Sequence, residues 1–183
     1  MNNDQAARSA RRIATLIAIP LALLAGFVMF QLLKPRAAPV EQPRVQSSAP
    51  VTMDAPALDE RQTLVCRALL SQLPDEIRDL KQRPVTAGPE QNAAYGDPAI
   101  TVACGTPKPE VALTDKVFDI NGVCWHADPT STRWTTVDRE VPITVAVPDS
   151  YQPAFPWVAL LSNPVASTVL STDGPVPTGC KDL

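Results

Sequence analysis

The sequence is poor in glycine and histidine, with seven glycines and one histidine among 183 residues. No Walker loop and no dinucleotide-binding glycine motif occurs, and both of these phosphate-binding loops need glycine for close backbone approach. The four cysteines also lack the Cys-x2-4-Cys spacing that is typical of structural zinc ligands. The sequence therefore predicts no metal site and no cofactor.

Positive charge is scarce as well. The chain has 16 lysines and arginines against 19 acidic residues, which gives a net charge of −3, and it has no long basic run. Proteins that bind nucleic acids usually concentrate lysine and arginine on one face. We therefore do not expect a nucleic-acid partner.

A catalytic set is also hard to find. His126 is the only histidine, and a Ser–His–Asp arrangement would have to recruit Asp128 together with Ser131 or Ser150. Such triads are assembled in space, so adjacency in the sequence is no argument for one. No Gly-x-Ser-x-Gly elbow is present. We predict no catalytic residue and interpret His126 as a surface residue at the end of a strand.

Residues 13–33 form the one long apolar run of the chain. At about 1.5 Å per residue, a helix of this length spans about 31 Å, close to the thickness of the hydrocarbon core of a bilayer. Three arginines lie within residues 1–12, whereas only Lys34 and Arg36 follow the run closely. This small excess places the amino terminus in the cytoplasm. The sequence predicts a single-pass protein of the cell membrane with an extracytoplasmic carboxyl-terminal domain.

A cleaved signal peptide is the alternative interpretation of this run. The apolar region of a signal peptide is about 7–15 residues long and precedes a cleavage site of small residues. The present run is longer, and Lys34-Pro35-Arg36 stands where cleavage would be expected. We favour a retained anchor.

The proline pattern divides the rest of the chain. Residues 34–57 contain five of the 20 prolines and show no apolar period. They predict a Pro-rich linker of polyproline II character, with a reach of at most about 70 Å. We therefore expect a cytoplasmic tail at 1–12, a transmembrane helix at 13–33, this linker, and one extracytoplasmic domain at 58–183.

The domain begins with a helical pattern. Asp59 and Gln62 are spaced as partners in a capping box, and apolar residues recur at i, i+3, i+4 and i+7 from Cys66 to Leu73. We interpret the mixed charged run at 75–81 as a solvated helix face.

The later part of the domain has strand patterns. Residues 82–98 resemble an irregular connection, and Pro156–Leu170 is interpreted as two helical turns split by Pro164. Between these two segments, short alternating runs predict strands near 100–104, 117–120, 123–126, 133–137 and 143–147. The predicted fold is α+β: a small, mainly antiparallel sheet covered by helices.

Four cysteines in an extracytoplasmic domain predict two disulfides, and the sequence alone allows three pairings. Cys66 lies on the apolar face of its helix and Cys104 on the apolar face of its strand, so both should point into the helix–sheet core. We predict that Cys66 pairs with Cys104.

The second disulfide follows from a predicted hairpin. Asn121-Gly122 is a strong signal for a two-residue turn. Because side chains alternate across a strand, the turn places Cys124 on the face opposite Trp125. A cysteine there is well placed to meet the carboxyl-terminal tail, and we predict that Cys124 pairs with Cys180.

The three tryptophans are the remaining notable feature. Tryptophan rings are buried at cores, interfaces and pocket rims, where the indole N–H finds a partner. We assign Trp125 and Trp157 to the core. Trp134, together with His126, marks the region where a binding pocket would be expected if the domain has one.

Four segments of the domain are distinctive in order and spacing: CRALLSQLP at 66–74, YGDPAI at 95–100 leading to Cys104-Gly105, NGVCW at 121–125, and RWTTVDREVPITVAVPDSY at 133–151. Together they resemble an actinobacterial family that is catalogued only as domain-of-unknown-function family 3515. The likeness covers most of residues 58–170, and its members are typically exported or membrane-anchored envelope proteins. Within it, Cys66 and Cys104 look like the family's own pair, whereas Cys124 replaces a more usual aspartate before tryptophan. The resemblance implies no activity.

Three functional hypotheses remain. The leading one is a non-enzymatic, membrane-tethered envelope protein whose outer domain contacts a partner protein or wall component. The alternative is a ligand-binding or hydrolytic domain with a pocket near Trp134 and His126. In the third, the spanning helix is itself the binding element of a membrane complex. A pocket with convergent polar groups would favour the second hypothesis, and a large exposed apolar patch the first.

Overall fold

A computed structural model of the chain divides it into two compact units, residues 1–44 and 45–183. In the first unit the described residues are helical. The predicted tail at 1–12 and the remaining residues of the predicted span at 13–33 are not among the described residues. No helix among the described residues is both long and apolar enough to cross a membrane. The described residues are 19–20, 22–24, 26–30, 46–112, 114–174 and 177–180.

Helix α1, Glu60–Gln72, opens the predicted helical region of the second unit. The capping box is present: the Gln62 backbone N–H donates to Asp59 Oδ1 at 2.7 Å, and the Asp59 N–H donates to Gln62 Oε1 at 3.1 Å. The helix buries Val65, Cys66 and Leu69. The same apolar period that predicts the helix therefore supplies its buried face.

A single eight-stranded sheet forms the centre of the described domain, and every neighbouring pair in it is antiparallel. Its spatial order is β1-β2-β3-β4-β8-β7-β6-β5. The predicted mainly antiparallel sheet is thus confirmed. The strands are β1 (Glu76–Ile77), β2 (Leu80–Arg83), β3 (Asn92–Tyr95), β4 (Ile100–Cys104), β5 (Val117–Ile120), β6 (Val123–Ala127), β7 (Arg133–Thr136) and β8 (Ile143–Ala146).

The charged run at 75–81 is a hairpin, so its interpretation as a helix face was wrong. Ile77 and Leu80 face each other across strands β1 and β2, and both are buried. Arg78, in the turn, has a φ of 56°. Two apolar residues three positions apart can lie on one face of a helix. The same spacing also places them opposite each other at the ends of a two-residue turn, so spacing alone does not distinguish a helix from a hairpin.

Helix α2, Phe155–Thr168, is continuous, which corrects the prediction of two turns split at Pro164. A proline inside a helix leaves the carbonyl four residues earlier without its usual donor. That carbonyl belongs to Leu160, whose side chain is exposed. Solvent near this part of the helix can satisfy the carbonyl, so the helix passes through the proline.

Both helices pack on the same face of the sheet. Cys66 of α1 is bonded to Cys104 of β4, and the Trp125 Nε1–H of β6 donates to the Ser162 hydroxyl of α2 at 3.0 Å. All three tryptophans are buried: Trp125 and Trp157, as predicted, and also Trp134. We call this side of the sheet the helix face.

Both predicted disulfides are present. Cys66–Cys104 joins α1 to the sheet with a Cα–Cα distance of 5.6 Å, and Cys124–Cys180 joins β6 to the carboxyl-terminal tail at 5.7 Å. The hairpin register is also the predicted one, because Asp119 lies opposite Cys124. The tail lies on the second face of the sheet, where Cys180 packs with Val117 and Cys124.

Residues 46–57 lie along the domain, although the sequence analysis places them in the linker. We call this segment the strap. The Val51 N–H donates to Pro84 O at 2.8 Å and the Thr86 N–H donates to Val51 O at 2.9 Å, which forms a parallel bridge between Val51 and Val85. The Arg83 guanidinium donates to Ala49 O at 2.7 Å. The strap is held mainly through its backbone.

Candidate functional site: a threonine-lined cleft

The second face of the sheet carries a row of small and polar side chains. Residues that are register partners share a face of the sheet. One row of such partners crosses the sheet and takes one residue from each of the strands β6, β7, β8, β4 and β3. Neither helix packs on this side, so we call it the open face. The row consists of His126, Thr135, Thr144, Ala103 and Asn92.

A cleft of about 790 Å³ lies on the open face. The strap and the loop at Thr106–Pro107 form its walls, and strands β3, β4, β7 and β8 form its floor. Ligand sites for small molecules commonly have volumes of about 300–1,000 Å³, so the cleft is large enough for one. Its floor residues include Asn92, Thr101, Ala103, Arg133, Thr144 and Ala146.

Threonine hydroxyls are linked into a chain at one side of the cleft. Thr144 Oγ1 lies 2.8 Å from Thr106 Oγ1 and 2.9 Å from Thr135 Oγ1. Each hydroxyl has one proton and two lone pairs, so such a chain always retains spare accepting capacity. Thr101, on the neighbouring strand, adds a further hydroxyl to the cleft lining.

Asn92 supplies an unpaired acceptor in the same lining. Its Nδ2 group donates to Asp54 O at 2.9 Å and to Ala87 O at 3.0 Å, which fixes the orientation of the amide and holds the strap. Its Oδ1 atom is buried and has no hydrogen-bond partner among the described residues. Buried polar atoms in folded proteins are rarely left unpaired.

Two charged residues line the cleft, one on its floor and one on its wall. Arg133 belongs to β7, and Asp54 belongs to the strap above β3. Both side chains are exposed. Within the described part of the chain, neither the guanidinium nor the carboxylate makes a hydrogen bond or an ion pair. The cleft therefore offers one positive and one negative group to a ligand.

The structure does not bring Trp134 and His126 together. His126 pairs with Thr135 on the open face, whereas the adjacent Trp134 points to the helix face. Trp134 is 4% exposed, and its Nε1–H donates to Ser131 O at 3.0 Å. The two residues do not line a common pocket, and the cleft lies on the strands beyond His126. A binding role for either residue stays a prediction.

The residues nominated for a hydrolytic site are not arranged as a triad. The Asp128 carboxylate accepts from the backbone N–H groups of Thr132 at 2.9 Å and Arg133 at 3.2 Å, and from the Thr130 hydroxyl at 3.0 Å. Burial raises the pKa of Asp128, but these hydrogen bonds outweigh it, and the pKa is lowered overall. Asp128 organises its own turn, and the geometry does not direct it to His126.

Sequence reasoning missed the cleft, although one signal for it is visible. Strands β4 and β8 place large apolar residues at alternate positions and only threonine or alanine between them. A strand with bulky residues on one side and small ones on the other is typical of a sheet that is covered on one face only. The pattern indicates an open face. It does not reveal that β4 and β8, far apart in sequence, are neighbours.

The fold and site define a disulfide-linked α+β domain with one helix-covered face and one open face that carries a polar cleft. The family model described as "Protein of unknown function (DUF3515)" matches residues 17–173. The chain belongs to this family, which confirms the resemblance seen in the sequence. Nothing among curated proteins or solved structures matches the chain.

Proposed function

We propose that the protein is a membrane-tethered, extracytoplasmic binding protein without enzymatic activity, whose domain holds a partner or ligand outside the cell membrane. The observation that carries the proposal is the pair of disulfides, which join all four cysteines of the chain. Disulfides of this kind persist in oxidising compartments and are rare in the cytosol.

The apolar run at 13–33 supports the membrane part of the proposal. Its length suits a bilayer. Among its described residues, Leu23, Phe27 and Met29 have exposed fractions of 69%, 61% and 62%. Apolar side chains without protein cover are costly in water and are stabilised in hydrocarbon. The family match also begins inside this run, at residue 17.

The open cleft supports the binding part of the proposal. It gathers hydroxyls and two unpaired charges in one concave surface. A few convergent polar groups within a pocket are typical of ligand sites. No nucleophile–base–acid arrangement accompanies them in the described domain, so binding accounts for the geometry better than hydrolysis does.

Membrane orientation can be tested by labelling introduced cysteines in intact cells. The native cysteines are paired, so a single new cysteine is the only expected target for a membrane-impermeant maleimide. We expect Asp173→Cys, on an exposed segment, to be labelled, and Ser9→Cys to be labelled only after the membrane is permeabilised. Labelling of Ser9→Cys in intact cells, or protection of Asp173→Cys, would reject the proposed orientation.

Partner binding can be tested by crosslinking the full-length protein in its membrane and identifying co-purifying proteins by mass spectrometry. A stoichiometric partner that survives exchange of residues 13–33 for an unrelated anchor would support the outer domain as the binding element. Loss of the partner on that exchange would instead assign binding to the spanning helix.

A further inference from the structure

We infer that the cleft binds a short zwitterionic peptide of about four residues, with its carboxyl terminus at Arg133 and its amino terminus at Asp54. The inference rests on the proposed function, since it names the ligand class of the same domain. Three independent features of the cleft lead to it: the placement of the two charges, the distance between them, and the groups on the floor.

The charges are complementary to the two ends of a peptide. Arg133 presents a guanidinium, which recognises a carboxylate through two parallel N–H donors. Asp54 presents a carboxylate, which accepts from an ammonium group. Because neither side chain has a partner within the described domain, neither must give up an existing contact to bind a ligand.

The distance between the charges suits an extended chain of about four residues. Arg133 lies on β7, and the Asp54 carbonyl is bound to Asn92 of β3 at 2.9 Å. Strands β8 and β4 lie between them, and Arg133 is in register with Ala94, two residues along β3 from Asn92. The two backbone positions are therefore about 14 Å apart across the strands and about 7 Å apart along them, which is about 16 Å in all. An extended peptide covers about 3.3–3.6 Å per residue.

The floor between the charges suits a peptide backbone. The hydroxyls of Thr101 and Thr144 would serve backbone carbonyls. Ala103 and Ala146 leave room for the backbone to approach the sheet. Among the described residues, no aromatic side chain lines the cleft, so these residues offer no ring on which a sugar or a base would stack.

The test is isothermal titration of the full-length protein in lipid nanodiscs with tetra-alanine and with a mixed-sequence tetrapeptide library, both with free ends. We expect at least one of the two to bind. Amidation of the carboxyl end and acetylation of the amino end should each weaken binding about tenfold, the usual effect of losing one charge-assisted contact. Di-alanine should bind more weakly because it cannot reach both charges.

Variants make the assignment specific to each end. Arg133→Gln should make binding insensitive to amidation but not to acetylation, and Asp54→Asn should do the reverse. Ala146→Phe should fill the cleft and abolish binding. Arg67→Gln removes an exposed arginine from α1, on the helix face, and should bind as the wild type does; it is the matched control for Arg133→Gln.

Several results would overturn the inference. These are no binding of either probe up to about millimolar concentration, equal affinity for free and blocked ends, undiminished binding by Ala146→Phe, or displacement by a neutral oligosaccharide that binds more tightly. Membrane labelling and crosslinking test the proposed function independently of peptide binding. A crosslinked partner that still associates with Ala146→Phe would leave the proposed function standing while the cleft assignment fails.

Discussion

At the scale of single residues, the arrangement that should matter most for stability is a buried arginine next to a partly buried aspartate. Arg139 Nη1 donates to Val169 O at 3.0 Å, and its Nη2 donates to Gly122 O. Its Nε lies 3.3 Å from Asp138 Oδ1, as an ion pair without hydrogen-bond geometry. One side chain thus joins the end of helix α2 to the turn between β5 and β6.

Replacing this arginine should be strongly destabilising. Arg139→Gln would leave two backbone carbonyls and the Asp138 carboxylate without their cation, and breaking a buried pair from one side costs about 3–5 kcal/mol. We expect a loss of this size in the free energy of unfolding, measured with urea. Arg61→Gln breaks the exposed, bidentate ion pair with Glu140 and is the matched control, for which we expect a loss of at most about 1 kcal/mol. Similar losses in both variants would contradict this account.

The neighbouring aspartate predicts a pH dependence. Burial raises the pKa of Asp138, and it outweighs the lowering effects of Arg139 and of hydrogen bonds from the backbone at Cys124 and Asp138. The folded protein therefore holds this proton more tightly than the unfolded chain does. By linkage, the contribution of Asp138 to stability, taken as the difference between the wild type and Asp138→Asn, should fall as the pH rises from the ordinary value of 3.8 through the raised value, and then level off.

The measurement is the free energy of unfolding between about pH 3 and 6. Asp138→Asn should remove this fall, whereas Asp173→Asn, which removes a charge from an exposed segment, should retain it. Parallel curves for the wild type and Asp138→Asn would show that another group is responsible.

At the scale of elements, the two disulfides should differ in their resistance to reduction. Cys66 and Cys104 are 0% and 1% exposed, whereas Cys180 is only half-buried on the tail. Because a reductant must reach a sulfur atom, we expect Cys124–Cys180 to open first. Partial reduction followed by alkylation and mass spectrometry measures the order. Alkylation of Cys66 before Cys180 would be the contrary result.

The strap allows a second test at this scale. Val51→Pro removes the N–H that donates to Pro84 O, whereas the adjacent Thr52 N–H points away from that partner because the direction alternates along an extended chain. We expect Val51→Pro to increase hydrogen exchange at the Thr86 amide, and Thr52→Pro to leave it protected. Equal protection in both variants would mean that the bridge does not hold the strap.

Elements that are specified locally were predicted well. The Asn121-Gly122 turn determines the register of the hairpin that it closes. Asp119 therefore lies opposite Cys124 because the turn has two residues and the strands pair antiparallel, and alternation along each strand puts both side chains on one face. The strap was not recognisable, because it is held by hydrogen bonds to its backbone and such contacts leave no apolar period in the sequence. The proline content of this segment indicates an extended conformation correctly, but it does not indicate what the segment lies on.

At the scale of the whole molecule, the sheet order limits what sequence can predict. The cleft needs β4 and β8 side by side, with 38 residues between the end of the former and the start of the latter. Nothing local specifies that neighbour. The two disulfides could be predicted because a face can be assigned to each cysteine from its own strand or helix. The cleft needs residues from four strands and the strap, which only tertiary structure brings together.

Detachment of the strap from the domain would lengthen the chain that leads into the domain. A pull on the chain from its amino-terminal side would enter the domain at the strap, and peeling the strap away would release 12 residues, about 40 Å of extra reach. The bond between Cys66 and Cys104 would still tie the first helix to the sheet. Since the strap is one wall of the cleft, tension that peels the strap from the domain would also open the cleft.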